Sequence, residues 1–288
     1  VGRSWQYGAI VSIGPAPYER NLVLRSKYLP LILVAALAAC GGAPDDKSDS
    51  VSTAASGKIS KAAASPLKPF VQSNDPDFAM LPERGADAAA FVPTGWTTEK
   101  AAKTDFNGDG HQDILIIMHQ HDPAKIKPLN ERTDETLDSN PYRIAVAFYD
   151  PAQRDYVLAA ENHTLISRHE DPRFIDPFND ATTGKGVFVI ALSKLANLGG
   201  WSAETRAFKF RFQDGAFRLI GLDVTESPRN GGEYTSRSIN YLTHRMKIET
   251  GQMEEQGNGE VKWQELPRTR GPKLDEVGDG LAFAVPTA

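Results

Sequence analysis

Arg206-Ala-Phe-Lys-Phe-Arg-Phe-Gln213, Asp214-Gly215, Ala216-Phe-Arg-Leu-Ile-Gly221 decides the fold class. Apolar and polar residues alternate on either side of the Asp-Gly pair, which is the period of a strand with one face against a core. Asp-Gly is a favoured two-residue hairpin turn, because glycine accepts the positive φ of type I′ geometry. Such a turn also fixes register, pairing Gln213 with Ala216, Phe212 with Phe217, Arg211 with Arg218 and Phe210 with Leu219. Phe208, Phe210, Phe212, Phe217 and Leu219 then share one face, which must be core.

The opposite face sets Arg211 against Arg218, and like charges directly across two strands are destabilising. Solvent or a nearby carboxylate is the ordinary answer. The functional alternative is an anionic ligand held by both guanidinium groups. Trp201, after Gly199 and Gly200, is a second ligand candidate as a stacking platform for a sugar ring; its ordinary role is a lid on the core.

Outward from the hairpin, residues 114–119, 142–149, 156–160, 187–193, 205–213, 216–224, 238–243, 246–249 and 261–266 are short, rich in β-branched or aromatic residues, and separated by Gly, Pro, Asn and Asp. A short helical or irregular lead containing Asp87-Ala-Ala-Ala-Phe91 precedes them, and no long helical pattern interrupts them. The expectation is an all-β fold: a single antiparallel β domain over residues 67–288, either a sandwich or a partial propeller-like meander.

Asp105-Phe-Asn107-Gly-Asp109-Gly110-His111-Gln-Asp113 carries the strongest chemical signal. Side-chain oxygens at the first, third, fifth and ninth places and a main-chain carbonyl at the seventh, His111, suit a calcium ion, with glycine at the sixth making the bend. The twelfth place is Ile116 instead of a bidentate Glu, and it lies in the apolar run 114–118, which reads as a strand. A helix-loop-helix calcium sensor is therefore disfavoured. Asp-x-Asn-x-Asp-Gly-x-x-Asp running into a strand resembles the calcium loop of FG-GAP and VCBS-type repeats, and the resemblance implies a structural Ca2+ that pins the start of a strand. Propellers need several such repeats and the chain has one; Asp176-Pro-Phe-Asn179-Asp180 has oxygens but neither the glycines nor the spacing.

Farther afield, Phe91-Val-Pro-Thr-Gly-Trp96, the loop 105–113, Asp176-Pro-Phe178, Gly199-Gly-Trp201, the hairpin 208–221 and Ser238-Ile-Asn-Tyr-Leu-Thr243 follow an order that resembles a scattered family of bacterial exported proteins of unassigned function. That resemblance carries over no catalytic residue.

His119 and His121 follow the loop at alternate positions beside Asp122, a spacing that fits a metal pair. No third histidine has a recognisable spacing, so two polar residues at a strand end is the plainer reading. There is no Gly-x-Ser-x-Gly elbow, no His-Glu-x-x-His pair and no phosphate-cradling glycine loop. Residues 170–176 hold carboxylates that a glycosidase would need in a cleft; a solvated loop is the simpler expectation.

The N-terminal part reads as an address. Arg25 and Lys27 precede the apolar run 28–39, which ends in Leu37-Ala38-Ala39-Cys40. A basic head, an apolar middle of roughly a dozen residues and a small-residue cleavage site are the parts of a secretory signal, and the run is shorter than the ~20 residues needed to span a bilayer. Leu37–Cys40 resembles a bacterial lipobox, which implies lipidation of Cys40 and cleavage before it. Gly41 after the cysteine, by the same resemblance, implies transfer to the outer membrane. Residues 1–39 are then a spurious extension plus signal helix, with initiation near Val23 or Leu24, and residues 40–66, poor in large apolar residues, form a flexible tether.

Cys40 is the one cysteine, so an internal disulfide and a thiolate zinc cluster are both excluded. The formal charge is −5; Arg3, Arg20, Arg25 and Lys27 against Glu19 give the first 40 residues +3, which leaves −8 for the rest. An acidic chain without a basic block has no electrostatic footprint for nucleic acid. The functional expectation is a lipid-anchored envelope protein with a calcium-stabilised β domain, acting by binding or scaffolding toward an envelope protein or glycan. The alternative is an exported hydrolase using His119, His121 and nearby carboxylates.

Overall fold

The computed structural model describes residues 78–129, 135–196, 202–228, 232–255 and 258–286. All lie in the compact unit Ser60–Ala288; the unit Val1–Ile59 is outside the described residues. The strands are β1 Arg84–Gly85, β2 Trp96–Thr104, β3 Asp113–Gln120, β4 Ile126–Pro128, β5 Thr136–Asp138, β6 Tyr142–Asp150, β7 Asp155–Asn162, β8 Phe178–Gly184, β9 Val187–Leu195, β10 Ser202–Gln213, β11 Ala216–Pro228, β12 Glu233–Asn240, β13 Arg245–Gln252 and β14 Glu260–Glu265. The expected lead helix is a single 3-10 turn, Ala88–Phe91, capped by the Asp87 side chain.

Two antiparallel sheets carry the fold. Five strands run in the order β1-β7-β6-β3-β2, and seven form a simple meander, β14-β13-β12-β11-β10-β9-β8, with β4 and β5 as a separate ribbon. Leu115, Ile117, Ile144 and Val146 of the first sheet share one buried cluster with Phe188, Ile190, Phe208, Phe210 and Phe217 of the second. Two sheets with a common core between their inner faces make a sandwich, so the all-β antiparallel expectation holds and the sandwich replaces the propeller-like meander.

The five-stranded sheet is covered on its other face as well. Ile114, Ile116 and Met118 pack with Phe78, Leu81, Phe91 and Trp96 from the segment that precedes β2 and from its first residue. Burial of both faces explains why 114–118 is an unbroken apolar run instead of an alternating one.

The 206–221 hairpin takes the register that its turn dictates. All four expected pairs are present, and Asp214 and Gly215 have φ of 51° and 79°, as a type I′ turn requires. Phe208, Phe210, Phe217 and Leu219 are buried, while Phe212 is partly exposed at the core margin. Beyond Phe210 a bulge shifts the register, with Ile220 as the extra residue on β11.

One expected strand is misplaced. Residues 238–243 do not continue as a strand; β12 ends at Asn240. The Asn240 side chain accepts the amides of Leu242 (2.9 Å) and Thr243 (3.0 Å), which folds the chain into a turn. His244 completes that turn with φ of 53°.

Candidate metal centre

Thr104 of β2 pairs with Asp113 of β3, so residues 105–112 are the connection that closes this hairpin. Its shape is written by its own carboxylates and amide. Asp105 accepts the amides of Gly108 (2.7 Å) and Gly110 (2.9 Å), Asn107 accepts that of Asp109 (2.9 Å), and Asp109 accepts that of His111 (2.7 Å). Successive Asx turns of this kind wind the backbone tightly. Gly108 and Gly110 have φ of 80° and 90° with open space around them, so backbone conformation and not crowding selects glycine there.

The loop is bolted to the sandwich at two points. Phe106 is 4% exposed and sets its ring edge-on to Phe188 (5.9 Å) and Phe217 (5.6 Å) of the seven-stranded sheet. Asp113, fully buried, accepts the Phe106 amide at 2.8 Å and the Tyr149 amide of β6 at 3.0 Å. Burial pushes its carboxyl up to about 6 against the pull of those two amides, and the charges of Asp109 and Asp105 push the same way.

A calcium ion fits the donor chemistry of this loop. Asp105, Asn107, Asp109 and Asp113 supply hard oxygens and the His111 carbonyl is a fifth, and the negative charges of Asp109 and Asp105 beside Asp113 are ones a divalent cation neutralises. Each oxygen that accepts one amide keeps a second lone pair. Among the described residues no three His, Cys, Asp or Glu side chains stand as a ready-made metal cluster. Asp105, Asp109 and Asp113 are therefore not gathered as a metal-ready trio in this geometry, and Asn107 Nδ2 donates to Asp109 at 3.0 Å.

His119 and His121 do meet, with ring centroids 5.4 Å apart, yet each is engaged elsewhere. His119 is buried, stacks on Tyr142 at 4.1 Å and contacts the Asn140 carbonyl through Nε2. His121 is exposed and bonds Thr97 Oγ1 at 2.8 Å. Asp122, expected beside them, turns away to cap the 3-10 turn at Ala124.

The other carboxylate segments are likewise committed. Asp171 pairs with Arg173, which holds its carboxyl below the usual range, and His169 contacts the Phe174 carbonyl. Asp176 accepts the Tyr142 hydroxyl at 2.8 Å, and Asp180 pairs with Lys100. Residues 178–184 form the edge strand β8 and not a second metal loop.

Arg211 and Arg218 face each other across the hairpin as expected. Among the described residues neither makes an ion pair; Arg218 donates to the Gly271 carbonyl at 3.3 Å, and its Nε is buried without a partner. Trp201 and Cys40 lie outside the described residues. Sequence reading missed the company that Arg218 keeps: Tyr241, His244 and Arg270 reach it from distant parts of the chain, with no motif to announce them. No family model, curated protein or solved structure matches this chain.

Proposed function

We propose that this chain is an exported, lipid-anchored envelope protein whose β-sandwich is stabilised by calcium and acts by binding or scaffolding instead of catalysis. The observation that carries the reading is the 105–113 loop. Its Asx turns are set by Asp105, Asn107 and Asp109, and Asp113 and Phe106 tie it to strands of both sheets. Asp105, Asn107, Asp109, Asp113 and the His111 carbonyl would hold the ion, which supplies charge neutralisation and cross-linking. An ion held there makes the start of β3, its hairpin with β2 and the Phe106 anchor one rigid unit.

The address rests on Leu37–Cys40 and its basic, apolar lead. Among the described residues no helix is long and apolar enough to cross a membrane, so in this reading the membrane link is the lipid on Cys40. The partner is an envelope protein or glycan.

Calorimetric titration of the chelator-treated protein with calcium tests the metal. Saturable binding that disappears in Asp105→Ala/Asp109→Ala is expected, and no heat in the unmutated protein contradicts it. Labelling cells with an alkyne fatty acid tests the anchor: the protein incorporates label and the Cys40→Ser variant does not.

A further inference from the structure

The edges of the two sheets are treated differently. β2 and β8 close on each other: Lys100 Nζ pairs with Asp180 at 2.9 Å, and Thr183 Oγ1 donates to the Lys103 carbonyl at 3.5 Å. β7 is covered by β1 and by the Glu83 carbonyl, which accepts the Leu158 amide at 2.8 Å. β14 has no such cover. It ends the seven-stranded sheet, and no described strand lies beyond it. An uncovered edge offers its unpaired amides and carbonyls to another chain.

Hydrogen bonds at the ends of β13 and β14 fix which groups those are. Leu266 N donates to the His244 carbonyl (2.7 Å), and Met253 N donates to the Gly232 carbonyl on the β12 side. Main-chain groups in an antiparallel ladder point alternately to one neighbour and the other, and the β13–β14 register runs from Arg245–Glu265 to Thr250–Glu260 without a bulge. Glu260, Lys262 and Gln264 therefore turn their main chain toward β13, while Val261, Trp263 and Glu265 turn theirs to the open side. None of the last three is proline, a common block on an edge. The side chains of Val261 and Trp263 are exposed (43% and 58%), with Arg245 stacked on the indole at 4.6 Å.

We infer that β14 pairs antiparallel with β14 of a second copy of this chain, about a two-fold axis at Trp263, so that two seven-stranded sheets become one. The strand's own sequence, Glu260-Val-Lys-Trp-Gln-Glu265, selects both the occupant and the register. With the axis at Trp263, Val261 faces Glu265 of the second copy, Trp263 faces Trp263 and Lys262 faces Gln264. Each outward amide and carbonyl then finds a mate, and no like charges stand directly opposite. An axis at Lys262 sets Lys262 against Lys262, which is destabilising. Axes at Val261 or Gln264 carry Trp263 or Val261 past the end of the facing strand, which spans Glu260–Glu265.

A seam of six residues is small beside a standard interface, so the dimer forms and dissociates with concentration. This pairing does not rest on the calcium reading.

Sedimentation of the full chain over a concentration series, together with disulfide trapping, is the test. A dimer fraction that grows with concentration is expected. Trp263→Pro removes an outward amide and no bond to β13. It should weaken dimerisation about tenfold or more, while the amides of Met246 and Ile248, which face β14, keep their protection. In a Cys40→Ser background, Trp263→Cys sets two thiols across the axis at a Cα separation of about 5.5 Å, a span that suits a disulfide, and should oxidise to a covalent dimer. Val261→Cys and Glu265→Cys should cross-link only when mixed. The proposal is overturned if the chain stays monomeric throughout the series, or if Trp263→Pro with β14 still protected dimerises as well as the unmutated protein. It is equally overturned if Trp263→Cys cross-links no faster than Met80→Cys, a control at another exposed residue.

Discussion

Asp113 accepts the backbone amide of Tyr149 at 3.0 Å while its other oxygen holds the amide of Phe106 at 2.8 Å. One buried carboxylate thus joins the end of the 105–113 loop to the neighbouring strand β6, and what happens at the loop is felt by the sheet.

Replacing Asp113 by Ala strands two amides in an interior where each unsatisfied group costs about 1–3 kcal/mol. Chemical denaturation of the calcium-free protein should show that loss. Asp113→Asn keeps one acceptor and should lose about half as much. Equal midpoints for Asp113→Ala and the unmutated protein would mean the carboxylate is not a staple.

Arg143 and Glu161 form an ion pair with side chains 0% and 1% exposed. Burial lowers the proton affinity of Arg143 even beside its partner. Arg143 Nε and Nη2 both approach Glu161 Oε1 (2.8 and 2.6 Å), which leaves Oε2 without a hydrogen bond. Either Arg143→Met or Glu161→Leu alone should cost about 3–5 kcal/mol by breaking a buried pair, with Glu161 keeping only His163 Nδ1 at 3.6 Å once Arg143 is gone, whereas the double substitution should recover most of it. A double-mutant cycle in urea measures this; additive losses would contradict it.

Gly271 lies so close to β11 that an added Cβ would sit 1.9 Å from the Leu219 carbonyl oxygen. Gly271→Ala must push the C-terminal segment off the strand, breaking the bond from Leu219 N to the Pro272 carbonyl. Amide exchange should show Leu219 losing protection while Phe208 and Phe210 in the core keep theirs. Unchanged protection at Leu219 would contradict so close an approach.

Where the chain alternates around a turn with fixed chemistry, sequence alone was enough: residues 210–213 and 216–219 pair in the expected register because the two-residue turn fixes it, as far as the bulge at Ile220. Of the strands that escaped, β2 and β8 are edges, whereas most of the interior strand β12 was also missed. β2, Trp96–Thr104, carries Glu99, Lys100 and Lys103 and is largely exposed, and β8, Phe178–Gly184, is the opposite end strand of its sheet. Edges are kept polar and charged against unwanted pairing, so they lack the apolar signature of a strand.

The loop 105–113 was legible because its chemistry is local; each Asx turn is spanned within a few residues. The surroundings of Arg218 were half legible. Register placed Arg218 opposite Arg211, but Tyr241, His244 and Arg270 join it only through tertiary folding, which no spacing encodes.

The thermal midpoint of the unmutated protein, in excess chelator and at saturating calcium, is the most direct measurement. An ion bound only by the folded state at 100-fold above its dissociation constant adds about 2.7 kcal/mol, a rise in Tm of roughly 5–10 °C for a domain of this size. Asp105→Ala/Asp109→Ala should abolish the rise. A midpoint in the unmutated protein that is the same with and without calcium would contradict the calcium-stabilised sandwich.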